Sequence, residues 1–402
     1  MSSNSQENTN IKVFYRFQEM KEKGKELTPK IFDFTSENSL TFHSSKENNV
    51  YSFNFDKIFL PSSTLQNIYD QSMKNIIEDI LSGYNGSIIL YRNDLTEENN
   101  VKEKNNEEEE IIKEIIPRAI KDIFNYISNN ENIDFILKIS IIEISEEKIR
   151  DLINKKNTNL NIKKDDINGI YIEDLSEHYV STQEEIISLL EIANNNKLQS
   201  YTYTNLNDNY CKSHFIFILK IAQINKKNGF ITTSKLFLVD LGGIKKNVKS
   251  GIEGLILGEE NYYDKSLITL KKVINYLSNR KSINIPYKDS KLTKILQDCF
   301  GGNFKTNIII NCFPSINNEL EILNNLRFGE KIRKIKNKPV IKNELTIEQL
   351  KKMINELNAK IKNKDIRIEQ LEEYILFNDL KLPKSDEDFK KKIKEKKKYK
   401  KK

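Results

Sequence analysis

The sequence predicts an α/β fold, a central sheet with helices on both faces, and three observations carry that prediction. Several short runs are apolar enough to be strands buried on two sides, among them FILKISIIEI (residues 135–144) and HFIFILKIAQI (214–224). Other segments repeat their apolar residues at helical spacing, as in IIPRAIKDIFNYISNN (115–130). The two kinds alternate from residue 11 to about residue 336. Alternation of this sort is what a layered sheet-and-helix domain requires.

Taken in order, IKVFYRF (11–17) reads as the first core strand, and TLQNIYDQSMKNIIEDILSG (64–83) as a helix with one apolar stripe. NNVKEKNNEEEE (99–110) reads as a solvated low-complexity insert ahead of the helix at 115–130. STQEEIISLLEIANNN (181–196) is a helix opened by a hydroxyl residue and early acids. SKLFLVDLGG (234–243) is a buried strand that ends in an acid and two glycines, SLITLKKVINYLSN (266–279) is a helix, and TNIIINCF (306–313) is another buried strand.

The pattern changes after residue 336. Ile354, Ile361, Ile368 and Ile375 fall at a positions of a heptad and Leu350, Leu357 and Leu371 at d positions, with Lys364 at the remaining d. Ile at a with Leu at d favours a parallel two-stranded coil, in which Lys360 would face Asp365 and Arg367 would face Glu372. An amphipathic helix packed on the domain is the alternative for so short a repeat. The expected organisation is a disordered 1–9, a domain over 10–336, a linker over 337–346, the coil over 347–378 and a basic tail over 379–402.

The chain has 402 residues, 38% hydrophobic and 31% charged, with a net charge of +7. Much of the excess sits in FKKKIKEKKKYKKK (389–402), which carries ten lysines against one acid and would seek an acidic surface. Cys211, Cys299 and Cys312, like His43, His178 and His214, are scattered without metal or disulfide spacing, which suits a reduced compartment. No run approaches the roughly 20 apolar residues of a membrane span.

One stretch raises a chemical question. GYNGSIILYRNDLTEENN (83–100) begins as a turn and strand, where α/β proteins commonly hold an anion, and then brings Asp94, Glu97 and Glu98 in quick succession. Further on, KLFLVDLGG (235–243) places Asp240 at a strand end with Gly243 behind it. Such an acid can hold a metal's water shell and such a glycine lets an N–H reach a phosphate, although a strand ending in this way is often only a turn.

NIPYKDSKLTKILQDCFGGNFKTNIIINCFPSINNELEILNNLRFGEKIRKIKN (284–337) closely resembles the last third of a kinesin motor domain. NIKVFYRF, FNFDKIF, IIPRAIKDIFNYI, IEISEEKIRDLI and TYTNLNDNYCKSHFIFILKI resemble other motor segments in the same order, and KNKPVIKNELT is similar to a neck linker and the start of the neck coil of conventional kinesin heavy chain. The resemblance implies a mostly parallel, eight-stranded kinesin-like fold, ATP with magnesium as cofactor, and microtubules as partner.

The same comparison implies a damaged nucleotide site. Arg92 and Glu97 stand where the family's phosphate loop has glycines, Glu98 stands for its lysine, and Asn99 for the hydroxyl residue that binds magnesium. Phosphates need bare N–H groups and a cation, and a unit charge at about 4 Å is worth roughly 4 kcal/mol at an effective dielectric near 20. The adenine-side motif keeps Arg16 alone. The first switch reads Tyr210, Cys211, Lys212, Ser213, His214, and the second keeps Asp240 and Gly243 but has Lys245 in place of the glutamate that pairs with the position of Lys212. Two lysines repel there. The expectation is therefore an inactive ATPase without bound cofactor, with a divergent but active motor as the alternative. Glu97 or Glu98 pairing with Lys212 or Lys245 would lock the emptied pocket; a solvated acidic loop is the other reading.

Polymer binding is expected to survive. Tubulin's outer surface is acidic, and Lys246, Lys249, Lys265, Tyr287, Lys288, Lys291 and Lys294 fall on the loops that family members turn toward it. The reading is a microtubule-associated protein of the cytoplasm and cytoskeleton, a tether or the passive member of a homodimer or a heterodimer with another kinesin. Long-range transport and nucleic-acid binding are not expected.

Overall fold

The computed structural model describes residues 9–18, 21–22, 25–26, 31–44, 49–92, 101–165, 169–202, 213–242, 265–279, 284–312 and 319–344, with scattered helical positions between 351 and 368. The chain divides into two compact units, Met1–Glu344 and Leu345–Lys402.

The first unit is built on eight core strands: β1 (Lys12–Phe17), β2 (Lys57–Phe59), β3 (Asn85–Arg92), β4 (Ile133–Ser145), β5 (Lys148–Asp151), β6 (His214–Asn225), β7 (Ile231–Leu241) and β8 (Phe304–Cys312). Their order across the sheet is β5-β4-β6-β7-β3-β8-β1-β2. The five strands from β7 to β2 run parallel, and β5, β4, β6 and β7 pair antiparallel. The predicted mostly parallel, eight-stranded core is thus present, extended on one side by long antiparallel ribbons.

Alternation along the strands explains why both faces are covered. Tyr15, Ile89, Ile308 and Val239 face one core, with Leu270 and Ile274 of α5 (Lys265–Asn279) and Leu323 and Leu326 of α7 (Glu319–Arg333). Phe14, Ile88, Ile309 and Leu238 face the other, with helices α1 (Leu65–Ser72), α2 (Lys74–Leu81), α3 (Val101–Ser128) and α4 (Gln183–Thr202). Gly86 in β3 lets α2 lie close: a Cβ there would sit 2.6 Å from Ile76 Cγ2 and 2.8 Å from Ile80 Cγ2. Between β7 and β8 on the first face lies the short α6 (Lys291–Ile295).

Three local readings change. The single helix expected over 64–83 is broken at Met73, where φ is −127°, and the preceding Ser72 hydroxyl donates back to Ile68 O at 2.6 Å, a bond that competes with the helical ladder. The low-complexity insert is helical from Val101 onward as the start of α3. Strand pairing reaches back to Thr9, which with Asn10 pairs Asn337 and Lys336, so ordered structure begins within the segment expected to be disordered.

Residues of the expected linker continue along the unit. Asn337 is 1% exposed. Its Nδ2 donates to Cys299 O (2.9 Å) and Phe304 O (2.7 Å), and its Oδ1 accepts from Gly301 N (2.7 Å). Lys342–Glu344 then pairs antiparallel with Ile231–Thr233 at the start of β7. No helix among the described residues is long and apolar enough to cross a membrane.

Candidate functional site at the carboxyl ends of the strands

Open α/β sheets hold ligands at the carboxyl ends of their strands, and there the structure gathers three of the residues singled out from sequence. Arg16 lies one residue before the end of β1 opposite Asn311 and Phe59, Asp240 lies near the end of β7 opposite Leu90 and Phe215, and Ser213 immediately precedes β6. Arg92 closes β3, paired with Asn311. Glu97, Glu98, Asn99, Lys212, Gly243, Lys245, Lys246 and Lys249 lie outside the described residues.

The retained switch residues are tied to protein partners. Ser213 donates its hydroxyl to Glu143, a carboxylate 1% exposed on β4, and the Arg150 guanidinium donates to the same group. A buried carboxylate needs such charge-assisted bonds to be tolerated. His214 Nδ1 accepts from Gly242 N at 3.0 Å, which places the ring proton on Nε2, and Nε2 lies 2.7 Å from Ser266 Oγ in the first turn of α5. These buried bonds join β4, β5, β6, the end of β7 and α5. Sequence reading passed over Glu143, Arg150 and Ser266 because nothing in their spacing distinguishes them from ordinary strand and helix positions.

The space beneath Asp240 is a small cavity walled by Leu90, Ile116, Phe215 and Leu238, apolar apart from Asp240 itself. Buried polar atoms near the ends of β1 and β8 that make no hydrogen bond include Arg16 Nη1, Gln18 Nε2 and Asn311 Oδ1, a cationic donor, a neutral donor and a neutral acceptor. No cluster of His, Cys, Asp or Glu among the described residues is placed to hold a metal ion.

The residues read as a basic face differ in their surroundings. Lys265 and Lys288 are exposed. Tyr287 turns inward: its hydroxyl donates to Phe300 O at 2.5 Å, and burial, with Asp298 nearby, pushes its pKa up to about 12. Lys291 Nζ donates to Asn159 Oδ1 (3.1 Å) and Leu160 O (3.2 Å), and Lys294 Nζ donates to Ile162 O (2.9 Å). These two ammonium groups brace α6 against the segment after β5. Missed from sequence was a stripe on α5 of Lys265, Ile268, Lys272 and Tyr276, spaced three, four and four apart and all exposed. Ile268 had the look of a core residue but is 38% exposed, and Tyr276 is 45% exposed. Of the coil positions, Ile354, Ile361 and Ile368 are helical and 55%, 56% and 51% exposed; Leu350, Leu357, Leu371 and Ile375 lie outside the described residues.

A twisted, doubly covered sheet in this strand order, with an acid-ended strand beside the central one, defines a nucleotide-switch class of α/β protein. The kinesin motor domain model matches residues 3–335. Kinesin-related protein 3 of Dictyostelium discoideum is 40% identical over 339 residues, covering 83% of this chain and 28% of that protein. A kinesin heavy chain of Syncephalastrum racemosum is 38% identical over 356 residues, covering 87% of this chain and 37% of that protein. The solved structure of a fast kinesin, described for its ATPase mechanism and interactions with microtubules, superposes with a TM-score of 0.70 at 35% identity, covering 84% of this chain and 95% of the other. The chain belongs to the kinesin motor domain family. It spans about a third of the length of these two curated relatives.

Proposed function

We propose that this chain binds microtubules without turning over ATP and works as a tether or as the passive member of a dimer. The observation that carries the reading is the stretch from the last residue of β3 onward, where Arg92 and Glu97 replace glycines, Glu98 replaces the phosphate-binding lysine and Asn99 the magnesium-binding hydroxyl. Carboxylates there repel the charge that the family's loop attracts. Lys245 stands where the family resemblance implies a glutamate that pairs with the position of Lys212, so two cations replace an ion pair in the sequence. ATP and magnesium are accordingly no part of the proposed working state.

Partner and place follow from the family and the charge. Lys265, Lys272 and Lys288 present cations to an acidic polymer surface, in keeping with a microtubule location in the cytoplasm. Ile354, Ile361 and Ile368, seven residues apart and half exposed, are what a second helix would cover, from a like chain or another kinesin. Nucleic acid and membrane are not proposed as partners.

An active motor is the second reading, favoured by Arg16, Ser213 and Asp240 standing together at the strand ends. Equilibrium nucleotide binding, measured beside microtubule cosedimentation and microtubule-stimulated ATP turnover, separates the two. Cosedimentation without turnover or nucleotide binding is expected; turnover above background would establish the motor.

A further inference from the structure

Tyr179 is 69% exposed, more than any other described tyrosine; Tyr276 follows at 45%, and the remaining described ones are buried or half-buried. It lies in the short strand His178–Val180, which among the described strands pairs only with β4 and so leaves one edge open. Tyr179 sits opposite Lys138 of β4, and Lys138 sits opposite Lys220 of β6. Like charges placed opposite each other across strands repel. Glu177, two residues before Tyr179 and therefore on the same face, bridges Lys138 at 3.2 Å and Lys220. The Lys138 ammonium also stands 4.8 Å from the centre of the Tyr179 ring, and the Tyr179 hydroxyl, with Glu177, holds it above its ordinary pKa. Two ammonium groups thus share one carboxylate beside an aromatic hydroxyl that faces water.

We propose that the Tyr179 hydroxyl is the acceptor of a phosphoryl group from a tyrosine kinase, and that Lys138 and Lys220 hold the phosphate. In the transfer the phenol oxygen forms a bond to the terminal phosphorus of ATP while that phosphorus loses its bond to the diphosphate. The nucleoside diphosphate leaves, and the phenol proton passes to the kinase's catalytic base. An enzyme of this kind reads an extended segment, which the open edge at 178–180 supplies. Glu173, Asp174 and Glu177 precede the hydroxyl and suit a basic substrate groove, whereas Tyr276 stands in KKVINYLSNRK without an acid. The product carries a charge of about −1.5 to −2 near neutrality, set against two lysines that now have one glutamate between them. The modification converts a half-neutralised row of cations into a reversible clasp between the edge strand and β4. It needs no nucleotide bound by this chain and no polymer.

The test treats the full chain with the catalytic domain of an acid-preferring tyrosine kinase and magnesium ATP, beside Tyr179→Phe and Lys138→Gln. Site-resolved mass spectrometry is expected to show Tyr179 labelled at least about tenfold faster than Tyr276. Amide exchange at 178–180 and 137–139 is expected to slow about tenfold on labelling. Tyr179→Phe treated in the same way should show no slowing, and Lys138→Gln should lose most of it. Labelling of Tyr179 no faster than of Tyr276 overturns the acceptor. Labelling that leaves exchange unchanged or quickens it, or slowing that survives whole in Lys138→Gln, overturns the clasp.

Discussion

Glu147 Oε2 accepts the backbone N–H of Lys291 at 2.7 Å, so the turn between β4 and β5 holds the first residue of α6. The turn is strained. Glu146 and Glu147 have φ of 50° and 60°, a left-handed pair that hairpins usually give to Asn-Gly. Non-glycine residues in that region cost on the order of 1 kcal/mol each. Among the described residues no hydrogen bond of the Glu146 side chain offsets this, whereas Glu147 supplies the bond to α6.

The first prediction separates these roles. Glu146→Asn is expected to raise stability by about 0.5–1 kcal/mol, since Asn tolerates the left-handed region. Glu147→Ala is expected to lower it by about 1–2 kcal/mol through loss of the bond to Lys291 N. Chemical denaturation of both variants checks the signs, and equal destabilisation by both would contradict the assignment.

Lys291 and Lys294 give the second. Because their ammonium groups brace the segment at 159–162, replacing either with alanine should lower the melting temperature as well as microtubule affinity. Lys272→Ala on the open face of α5 should lower affinity alone, and the loss should shrink at high salt as screening shortens to below about 8 Å. Cosedimentation across a salt series beside thermal unfolding distinguishes bracing lysines from contacting ones.

How far these features were legible in the sequence depends on the physics behind each. The core strands and helices were legible because burial on two faces leaves continuous apolar runs, as at residues 308–310, and because α5 repeats its buried residues with helical period. The break at Met73 was not, since a Ser72 hydroxyl bonding back four residues leaves no mark in hydropathy. At the site, Asp240, Ser213 and Arg16 were found through family motifs. Glu143 and Ser266 were hidden, because a buried carboxylate or hydroxyl is identified only by the partner the fold brings to it. Lys291 and Lys294 carried the right charge, but the carbonyls that hold them come from some 130 residues earlier.

A third prediction concerns acid. Glu177 is partly buried, which by itself would raise its pKa, but Lys220 and Lys138 outweigh that and hold it below the ordinary carboxylate value. A lowered folded-state pKa means stability present above the unfolded value and lost as pH falls through the folded one. Glu177→Gln should therefore cost stability near neutrality and flatten the decline of melting temperature below about pH 4.5. A variant as acid-sensitive as the unaltered chain would show that Glu177 contributes nothing to that decline.

The last prediction tests the attachment of residues 336–344. Asn337 satisfies Gly301 N, Cys299 O and Phe304 O from a position without solvent access, and Lys338 N then donates to Gly302 O at 2.8 Å. Asn337→Ala would take the acceptor from Gly301 N and a donor from Phe304 O, Cys299 O and Thr306 Oγ1, of which Cys299 O keeps the Thr306 hydroxyl. Each buried group left unsatisfied costs about 1–3 kcal/mol, and partial relaxation brings the expected total to roughly 2–4 kcal/mol. Asn337→Asp would keep the acceptor for Gly301 and set a carboxylate against two carbonyl oxygens, so it should be at least as damaging. The strand formed by Lys342–Glu344 begins only five residues beyond Asn337, so its amides and those of Ile231–Thr233 should exchange faster in both variants, while β4 and β6 remain protected. Loss of stability without faster exchange at 342–344 would mean that Asn337 supports the turn before β8 and does not anchor the segment that follows it.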